Sequence, residues 1–447
     1  MITEFSLILI TIVWIIVGAT KLKLHPFLVL LAASFFLAFS LRLPLEDIPQ
    51  VFGEGFGKTF QSIGLLVVYG TIIGVVLEKT NATHTIANSL IKLLKRLPLP
   101  FAVSCIGYVV SIPVFCDSAF VILSSLNKSL AEKKNTSKLA LTIALSTGLF
   151  APHVLVPPTP GPLAAAANLE MENLFLLICV GGALAFILIL VGAFYSYSIS
   201  KNPKHKDASI KSREVKTIEK KMRLPPLHLA LAPIVLPIIL MALGTLLNLN
   251  STAVENELIV DFVVLISTPM NALLIGVLFS FMLLTYGNLK LGSSIELGIK
   301  AAAPILIITG MGGVLGAVIQ QIPITSYLEN AMVNPQWGIV IPFVIAAVLK
   351  TAQGSSTVAI ITTSSIVFPL LPTLGMDSEM GKVWVIMALG VGSMTVSHAN
   401  DSYFWIVSQI GGLDVKTAYK HHTWATFLQG SVGFVLVWIG YNIWKLV

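Results

Sequence analysis

Apolar runs of the length of a membrane crossing follow one another along almost the entire chain. A soluble domain carries about 25% charged residues, whereas this chain of 447 residues is 11% charged and 55% hydrophobic. The sequence therefore predicts an all-α integral membrane protein and excludes a string of soluble domains. A helix needs about 20 apolar residues to cross the hydrocarbon layer, and we predict about ten crossings, near residues 5–20, 26–42, 60–79, 139–167, 172–198, 226–247, 262–286, 300–320, 384–411 and 423–445.

Two further apolar segments, about 100–126 and 337–372, have a polar or kinked middle. The middle runs from Pro113 to Ser118 in one and from Lys350 to Ser356 in the other. Non-helical backbone is tolerated at membrane depth only where it is buried in protein or lines a wet cavity. We therefore predict two re-entrant helical hairpins, each of which enters and leaves the membrane on the same side.

The distribution of charge predicts the orientation. Residues 200–224 form a strongly basic linker, and cytoplasmic loops carry an excess of Lys and Arg. If this linker is cytoplasmic, both chain termini lie outside, and the loops left outside are acidic, with Glu46, Asp47, Glu54, Glu170, Glu172, Glu255, Glu257, Asp261, Glu329, Asp377 and Glu379. The net charge of +7 is thus explained by membrane topology, and no nucleic-acid partner is expected.

The two halves of the chain resemble each other. Residues 72–90 align without gaps with 314–332, and residues 144–173 align with 388–417, at nearly the same offset. The basic linker therefore separates a first repeat, 1–199, from a second, 225–447. Because the first repeat begins outside and the second begins inside, we predict an inverted repeat, the usual build of a secondary transporter that works by alternating access.

Each repeat contains a crossing that cannot be one continuous helix. Segment 139–167 holds five prolines, and a proline clashes with the preceding helical turn. Its counterpart, 384–411, holds the polar stretch Ser397–Ser402. The free N-termini of such half-helices attract carboxylates. We expect the substrate to contact the two breaks through Thr159, Gly161, Asn400 and Ser402.

Ionisable side chains at bilayer depth are functional-site candidates because they are costly there. Asp117 is a lone carboxylate in the first hairpin; burial disfavours its charged form, which suits a proton carrier, although hairpin amides could hold it for structure alone. Asp401 is either a second proton-binding group or a helix cap. His398 and His153 are either proton carriers or hydrogen-bonding groups in helix packing.

The second hairpin supplies the candidates for substrate binding. Lys350 could bind a substrate carboxylate, or it could be a paired structural charge or reach to the membrane interface. The residues that follow offer hydroxyl, amide and backbone groups: Gln353, Gly354, Ser355, Ser356 and Thr357. The hydroxyls could bind the substrate or hydrogen-bond to their own helix.

Four stretches together resemble the gluconate:proton symporter family, within the ion transporter superfamily. They are Ile112–Asp117, Pro157–Pro162, Gln353–Ala359 and Ser397–Ser402, in the same order along essentially the whole chain. The resemblance implies a bacterial cytoplasmic-membrane carrier for sugar acids or, in some members, D-serine. It also implies an elevator-like movement and a homodimer. Members often carry arginine where Lys350 stands, and a lysine lacks the bidentate fork of arginine.

These observations predict proton-coupled uptake of a small hydroxylated carboxylate, gluconate first, with Asp117, Asp401 and His398 as proton-coupling groups. A carrier for D-serine or glycerate, or a sodium-coupled carrier, remains an alternative. We expect membrane lipid and an organic acid as partners, H⁺ rather than Na⁺ as coupling ion, and no cofactor or metal. An enzyme is not expected because the nucleophile and metal motifs of membrane hydrolases are absent. An anion channel would need polar residues along a whole pore.

Overall fold

A computed structural model describes residues 6–446, apart from 8–9, 12, 16, 19–21, 23, 202–222, 250–256, 322–337 and 399–400. The described residues are helical and contain no strand. The longer helices are α1 (Pro26–Ser40), α2 (Ile48–Lys79), α3 (Ala82–Leu93), α4 (Leu99–Ser111), α5 (Cys116–Lys133), α6 (Lys138–Leu155), α7 (Pro160–Asn168), α8 (Leu174–Lys201), α9 (Leu227–Leu249), α10 (Glu257–Ser267), α11 (Pro269–Phe281), α12 (Leu291–Ile319), α13 (Val340–Gln353), α14 (Ser356–Val367), α15 (Glu379–Met394), α16 (Ser402–Gly411) and α17 (Trp424–Leu446).

Six helical stretches of the described chain are long and apolar enough to cross a membrane, or eight if each of two bent pairs forms one span. The ten predicted crossings therefore outnumber the described helices that are long and apolar enough to span a membrane. One reason is α1, whose 15 residues are about 22 Å long at 1.5 Å per residue, less than the hydrocarbon thickness. Part of the first predicted crossing, 5–20, lies outside the described residues.

Two short turns divide the segments that were predicted as hairpins. Residues 112–115 separate α4 from α5, which together form the first helix pair. Residues 354–355 separate α13 from α14, which form the second helix pair. Gly354 closes the second turn with φ of +83°, a left-handed conformation that glycine adopts without steric cost.

Two breaks divide the segments that were predicted as interrupted crossings. The first interrupted helix consists of α6 and α7, separated by 156–159. The second consists of α15 and α16, separated by 395–401. The most apolar stretch of the first interrupted helix is entirely buried, whereas that of α8 is only 39% buried. Residues 156–159 are themselves buried or half-buried, so the broken backbone is enclosed by protein, the setting in which non-helical backbone is tolerated at membrane depth.

The helix pairs pack directly against the interrupted helices. Ser104 and Ser111 of α4 donate hydrogen bonds to the backbone carbonyls of Ala144 and Leu149 in α6, at 3.0 and 2.6 Å. Outside this core, α2 lies along α12, and Thr71 donates to the carbonyl of Gly298 at 2.9 Å. The long helices thus surround a central region in which the helix pairs and the interrupted helices meet.

Candidate polar site at the helix breaks

The site begins with a buried ion pair between the second helix pair and the second interrupted helix. Lys350 lies in the last turn of α13, and its Nζ is 2.6 Å from Oδ2 of Asp401. The two side chains are 1% and 4% exposed. Lys350 Nζ also donates to the carbonyl of Gly354 at 2.7 Å. Each charge is thus balanced by a nearby group, which offsets the free-energy cost of removing the two ions from water.

Asp401 uses its second oxygen to begin a helix. It is the N-cap of α16, and Oδ1 accepts a hydrogen bond from the backbone N–H of Tyr403 at 3.0 Å. A side-chain oxygen at this position satisfies one of the free N–H groups of the first turn. The two roles considered for Asp401, titrating group and helix cap, are therefore compatible in one side chain.

The second carboxylate, Asp117, lies in the first turn of α5 and faces the same region. Its Oδ2 accepts a hydrogen bond from Ser402 Oγ at 3.2 Å, so the first helix pair meets the second interrupted helix here. Cys116 Sγ lies 3.6 Å from its Oδ1. Asp117 is half-buried and Ser402 is exposed, so this edge of the site is open. Of the two predicted carboxylates, Asp401 rather than Asp117 contacts Lys350.

His398 joins the second break to the second helix pair. Its Nε2 lies 3.0 Å from the backbone carbonyl of Thr351, the residue after Lys350. Because a carbonyl can only accept, Nε2 carries the proton of this hydrogen bond. His398 therefore holds the backbone next to Lys350, as the packing interpretation of this residue predicts.

The first break meets the start of α14, directly after the turn of the second helix pair. A Cβ added to Gly161 would lie 3.0 Å from Ile360 Cδ1 and 3.7 Å from Thr357 Cα, so the missing side chain permits this approach. Thr159 is buried and donates to the carbonyl of Val156. Thr159, Gly161 and Thr357 are thus brought together, although the hydroxyl of Thr159 is already used within its own turn.

The remaining predicted residues have different placements. Ser355 caps α14 by accepting from the N–H of Val358 at 3.3 Å, and Ser356 is buried beside it. Gln353 ends α13. Asn400 lies outside the described residues. The hydroxyl of Ser355 therefore serves its own helix, which is the second of the two roles considered for it.

His153 is a candidate that the structure leaves unsatisfied. It is 6% exposed, and its Nδ1 has no hydrogen-bond partner in the described part of the chain. Its ring lies 6.3 Å from that of Phe115, at the turn of the first helix pair. Buried polar atoms normally have a partner. A free imidazole nitrogen between the first break and the first helix pair is therefore a group that a ligand could satisfy.

Behind Asp401 lies a polar network that was not predicted from the sequence. Ser397 Oγ donates to Asp401 Oδ2 at 2.6 Å, and it lies 3.1 Å from Nε2 of His422. His422 Nδ1 lies 3.3 Å from Ser146 Oγ, and Tyr403 donates to the carbonyl of Ser146 at 2.9 Å. His422 directly precedes the last predicted crossing, 423–445, so the pattern of apolar runs did not single it out.

The comparisons with known proteins agree with this architecture. The chain matches the family described as GntP family permease over residues 3–443. It is 29% identical to a gluconate permease of Pseudomonas aeruginosa, over 96% of this chain and 95% of the relative. It is 31% identical to the D-serine transporter DsdX of Escherichia coli K12, over 96% of each chain.

A solved structure shares the fold. The crystal structure of the Alcanivorax borkumensis YdaH transporter superposes with a TM-score of 0.61 at 16% identity, covering 90% of each chain. These relatives are permeases or transporters, not enzymes. With its apolar helices and its match along nearly the whole sequence, this chain is a multi-pass membrane protein that belongs to the GntP permease family.

Proposed function

We propose that this protein takes up a small hydroxylated carboxylate, gluconate first, together with protons across the bacterial cytoplasmic membrane. The observation that carries the proposal is the ion pair between Lys350 and Asp401. A gluconate-permease relative supports the substrate class. The buried cation supports an anionic substrate, because a carboxylate is the group that most strongly compensates an ammonium in a dry site.

The ion pair suggests how a proton and an anion are coupled. Lys350 is already paired with Asp401, so a substrate carboxylate has to displace Asp401 in order to bind Lys350. If Asp401 is ionised, the arriving substrate adds a second negative charge beside the first, and like charges in one site disfavour each other. A proton on Asp401 removes its charge and leaves Lys350 for the substrate. One proton and one monovalent anion then enter the site together without a change in its net charge.

Asp117 is the second carboxylate of the proposed site. It hydrogen-bonds to Ser402, one residue from Asp401, and the charges of Asp401 and Lys350 act on it. We assign it to the binding of a further proton during loading, with release of substrate inside following deprotonation. His398 fixes the position of Thr351, and with it that of the adjacent Lys350, through its hydrogen bond to the Thr351 carbonyl.

A second candidate substrate is D-serine, and one feature of the site favours it. The site holds one cation and two carboxylates, and Asp117 is paired with a hydroxyl and a thiol rather than with a cation. A zwitterion could place its carboxylate at Lys350 and its ammonium at Asp117. Glycerate would use Lys350 alone. A D-serine transporter among the relatives supports this candidate.

We further propose that the two halves form an inverted repeat with an elevator-like movement and re-entrant helix pairs, and that two copies form a dimer. Each half has the same order of elements: a long helix (α2 or α12), a helix pair, an interrupted helix and a terminal helix (α8 or α17). This order supports the duplication. The opposite orientation of the halves, with both termini outside, rests on the charge distribution of the loops.

The test of function uses the purified full-length protein in proteoliposomes. We expect an inward proton gradient to drive accumulation of radiolabelled gluconate in the absence of sodium. Unlabelled glycerate and D-serine, added as competitors, rank the substrate candidates. Accumulation that requires a sodium gradient and ignores the proton gradient would disprove proton coupling. Uptake of D-serine that gluconate does not inhibit would replace the first substrate by the second.

A further inference from the structure

We infer that a polar cavity lined by α2, α12 and the C-terminal ends of α7 and α14 is a second binding site for a polyhydroxylated carboxylate, where the substrate is held before it reaches Lys350. This inference rests on the proposed function and adds to it a place of first contact. The proposed topology places Glu54 and Glu170, two of the lining residues, outside. The cavity then opens toward the medium from which uptake begins.

The cavity has room for an organic molecule. Its volume is about 210 Å³, whereas two other cavities in the described part of the chain have volumes of about 20 and 10 Å³. A single water molecule needs about 10–15 Å³. The two smaller cavities are therefore on the scale of a water molecule, and the larger one accepts a chain of several carbon atoms.

The lining offers partners for hydroxyl groups and for one carboxylate. Its charged and amide side chains are Glu54, Lys58, Asn168, Glu170, Gln320 and Gln321. Carboxylate oxygens accept hydrogen bonds, and amides both donate and accept them, so both suit hydroxyl groups. Among the described residues that line the cavity, Lys58 is the only cation. A ligand carboxylate is therefore expected at Lys58, with its hydroxyl chain along the amides.

Lys58 can exchange its present partner for a ligand at low cost. It forms an ion pair with Glu170, and the two side chains are 66% and 45% exposed. An ion pair in contact with water contributes little free energy. The backbone carbonyl of Glu170 is held separately by Nζ of Lys382 at 2.7 Å, so release of the Glu170 side chain leaves its backbone in place.

The balance of charge makes this a site of low affinity. Two carboxylates, Glu54 and Glu170, lie in the same lining as the single cation, and Gln50 Nε2 donates to Glu54 at 2.9 Å. A site on a transport route has to bind its ligand firmly enough to collect it and weakly enough to release it. The buried cation at Lys350 is the stronger place for the carboxylate, so the ligand is passed on in that direction.

Two short helices connect the cavity with the candidate polar site. Asn168, the last residue of α7, donates from Nδ2 to the hydroxyls of Ser364 and Ser365 in α14, at 2.9 and 3.0 Å. At their other ends, α7 begins after the first break and α14 begins after the turn of the second helix pair. With 9 and 12 residues, these helices are about 14 and 18 Å long. The two sites are therefore separate, and the same helices join them.

The space itself exists because α12 carries a glycine at this point. Gly55 and Gly313 are needed for packing, since a Cβ at Gly55 would lie 2.7 Å from the carbonyl oxygen of Gly313. Gly316 differs, because a Cβ there would have its nearest contact at 3.7 Å, with the carbonyl oxygen of Ser365. Gly316 lines the cavity, so a larger side chain at this position would occupy the space without a clash at its Cβ.

Protection of a cysteine by ligand tests the site in the purified full-length protein. Val51→Cys places a thiol in the lining, and Gly53→Cys, on the exposed side of the same helix, is the matched control. Peptide mass spectrometry separates both from the three native cysteines. With gluconate at ten times its dissociation constant, we expect maleimide to label residue 51 about tenfold more slowly and residue 53 at an unchanged rate. Absence of protection at residue 51, or equal protection by D-serine, which lacks the hydroxyl chain, would overturn the inference.

A charge variant at each site shows which site gives the protection. In the Val51→Cys protein, Lys58→Gln should raise the half-protecting gluconate concentration about tenfold, as loss of a charged hydrogen bond does. Lys350→Met should leave that concentration unchanged. The reverse pattern would place the ligand at Lys350 and overturn the inference. If Lys350→Met does not fold, Lys58→Gln decides alone, and an unchanged half-protecting concentration in that variant rejects the site.

Uptake by proteoliposomes tests the role of the cavity in transport. Gly316→Phe should lower the uptake of radiolabelled gluconate severalfold at concentrations below KM. Gly292→Phe is the control, since a Cβ at this exposed position of the same helix meets nothing within 4 Å. Gel filtration shows whether each variant is folded, and wild-type uptake by Gly316→Phe would overturn the role as first contact. Absence of gluconate uptake by the wild type would instead disprove the proposed function.

Discussion

Lys350 and Asp401 are paired at 2.6 Å although they belong to different elements, the last turn of α13 and the second break. Both side chains are almost completely inaccessible. In the part of the chain that the structure describes, this ion pair links α13 to the second break, the two elements of the second half that form the proposed substrate site. Its energetic behaviour can be tested separately from transport.

Removal of either charge is expected to destabilise the protein strongly. An uncompensated buried charge costs about 3–5 kcal/mol when its partner is removed. Lys350→Met and Asp401→Asn should therefore each lower the thermal unfolding temperature of the detergent-solubilised protein. The double variant should be more stable than either single variant, because neither charge remains. Equal, additive losses in the double variant would show that the two residues are not coupled.

All three variants of this pair should lose gradient-driven uptake of gluconate, whatever their stability. Glu296→Gln is the matched control, since Glu296 forms an exposed ion pair with Lys300 on α12. Pairs on exposed surfaces contribute little to stability. Wild-type accumulation by the more stable double variant would separate the ion pair from the transport mechanism.

Asp117→Asn tests the second carboxylate. The amide keeps an acceptor for Ser402 and cannot bind or release a proton. We expect loss of accumulation against a gradient, with exchange of internal and external gluconate retained. The assay compares net uptake with counterflow in the same liposomes. Unchanged accumulation would remove Asp117 from the coupling mechanism.

Gly74→Ala tests the close approach between α2 and the turn of the first helix pair. A Cβ at Gly74 would lie 2.5 Å from the carbonyl oxygen of Pro113, a backbone atom that cannot turn away. Forcing extra volume into a packed site costs about 1–3 kcal/mol. We expect lower thermal stability and slower uptake, because the displaced turn carries Asp117 with it.

Gly57→Ala is the control for this steric prediction, since it lies on the same helix. A Cβ there would meet nothing within 4 Å. Alanine is also the better helix former. Gly57→Ala should therefore keep or slightly raise stability and leave uptake unchanged. Equal effects of the two substitutions would show that crowding at Pro113 is not the cause.

The proposed inverted repeat is tested by loops that occupy equivalent places in the two halves. Lys134 lies between the first helix pair and the first interrupted helix, and Asp377 lies between the second pair and the second interrupted helix. Both are exposed. With cysteine at each position, a membrane-impermeant maleimide should label residue 377 in intact cells and residue 134 only after permeabilisation. The unsubstituted protein, with its three native cysteines, gives the background. Labelling of both from the same face would contradict the inverted topology.

The sequence predicted the places where helices end because those places have local causes. The first break follows Leu155, within the proline-rich segment, where the backbone cannot continue as a helix. The second helix pair turns at Gly354, inside the polar segment that was predicted to interrupt it. Lys350 and Asp401 were both singled out because a charge at depth is costly wherever it lies.

The pairing of these residues could not be predicted in the same way. Whether Lys350 would meet a substrate, Asp401 or Asp117 depends on how three separate elements pack, and no local pattern carries that information. His422 was overlooked because it lies just before the last predicted crossing, 423–445, where an ionisable residue is not unusual. The predicted number of crossings exceeds what helix length supports for a third reason: a short helix such as α1 is apolar without being long enough to span the bilayer by itself.

The cap of α16 gives Asp401 a mechanical importance beyond its charge. One oxygen of this side chain binds the ammonium of Lys350 while the other binds the first turn of α16 at Tyr403. In the proposed transport cycle, a proton that neutralises the side chain would weaken both attachments in the same event. Protonation would thereby loosen the start of α16, which holds Ser402 against Asp117 of the first half.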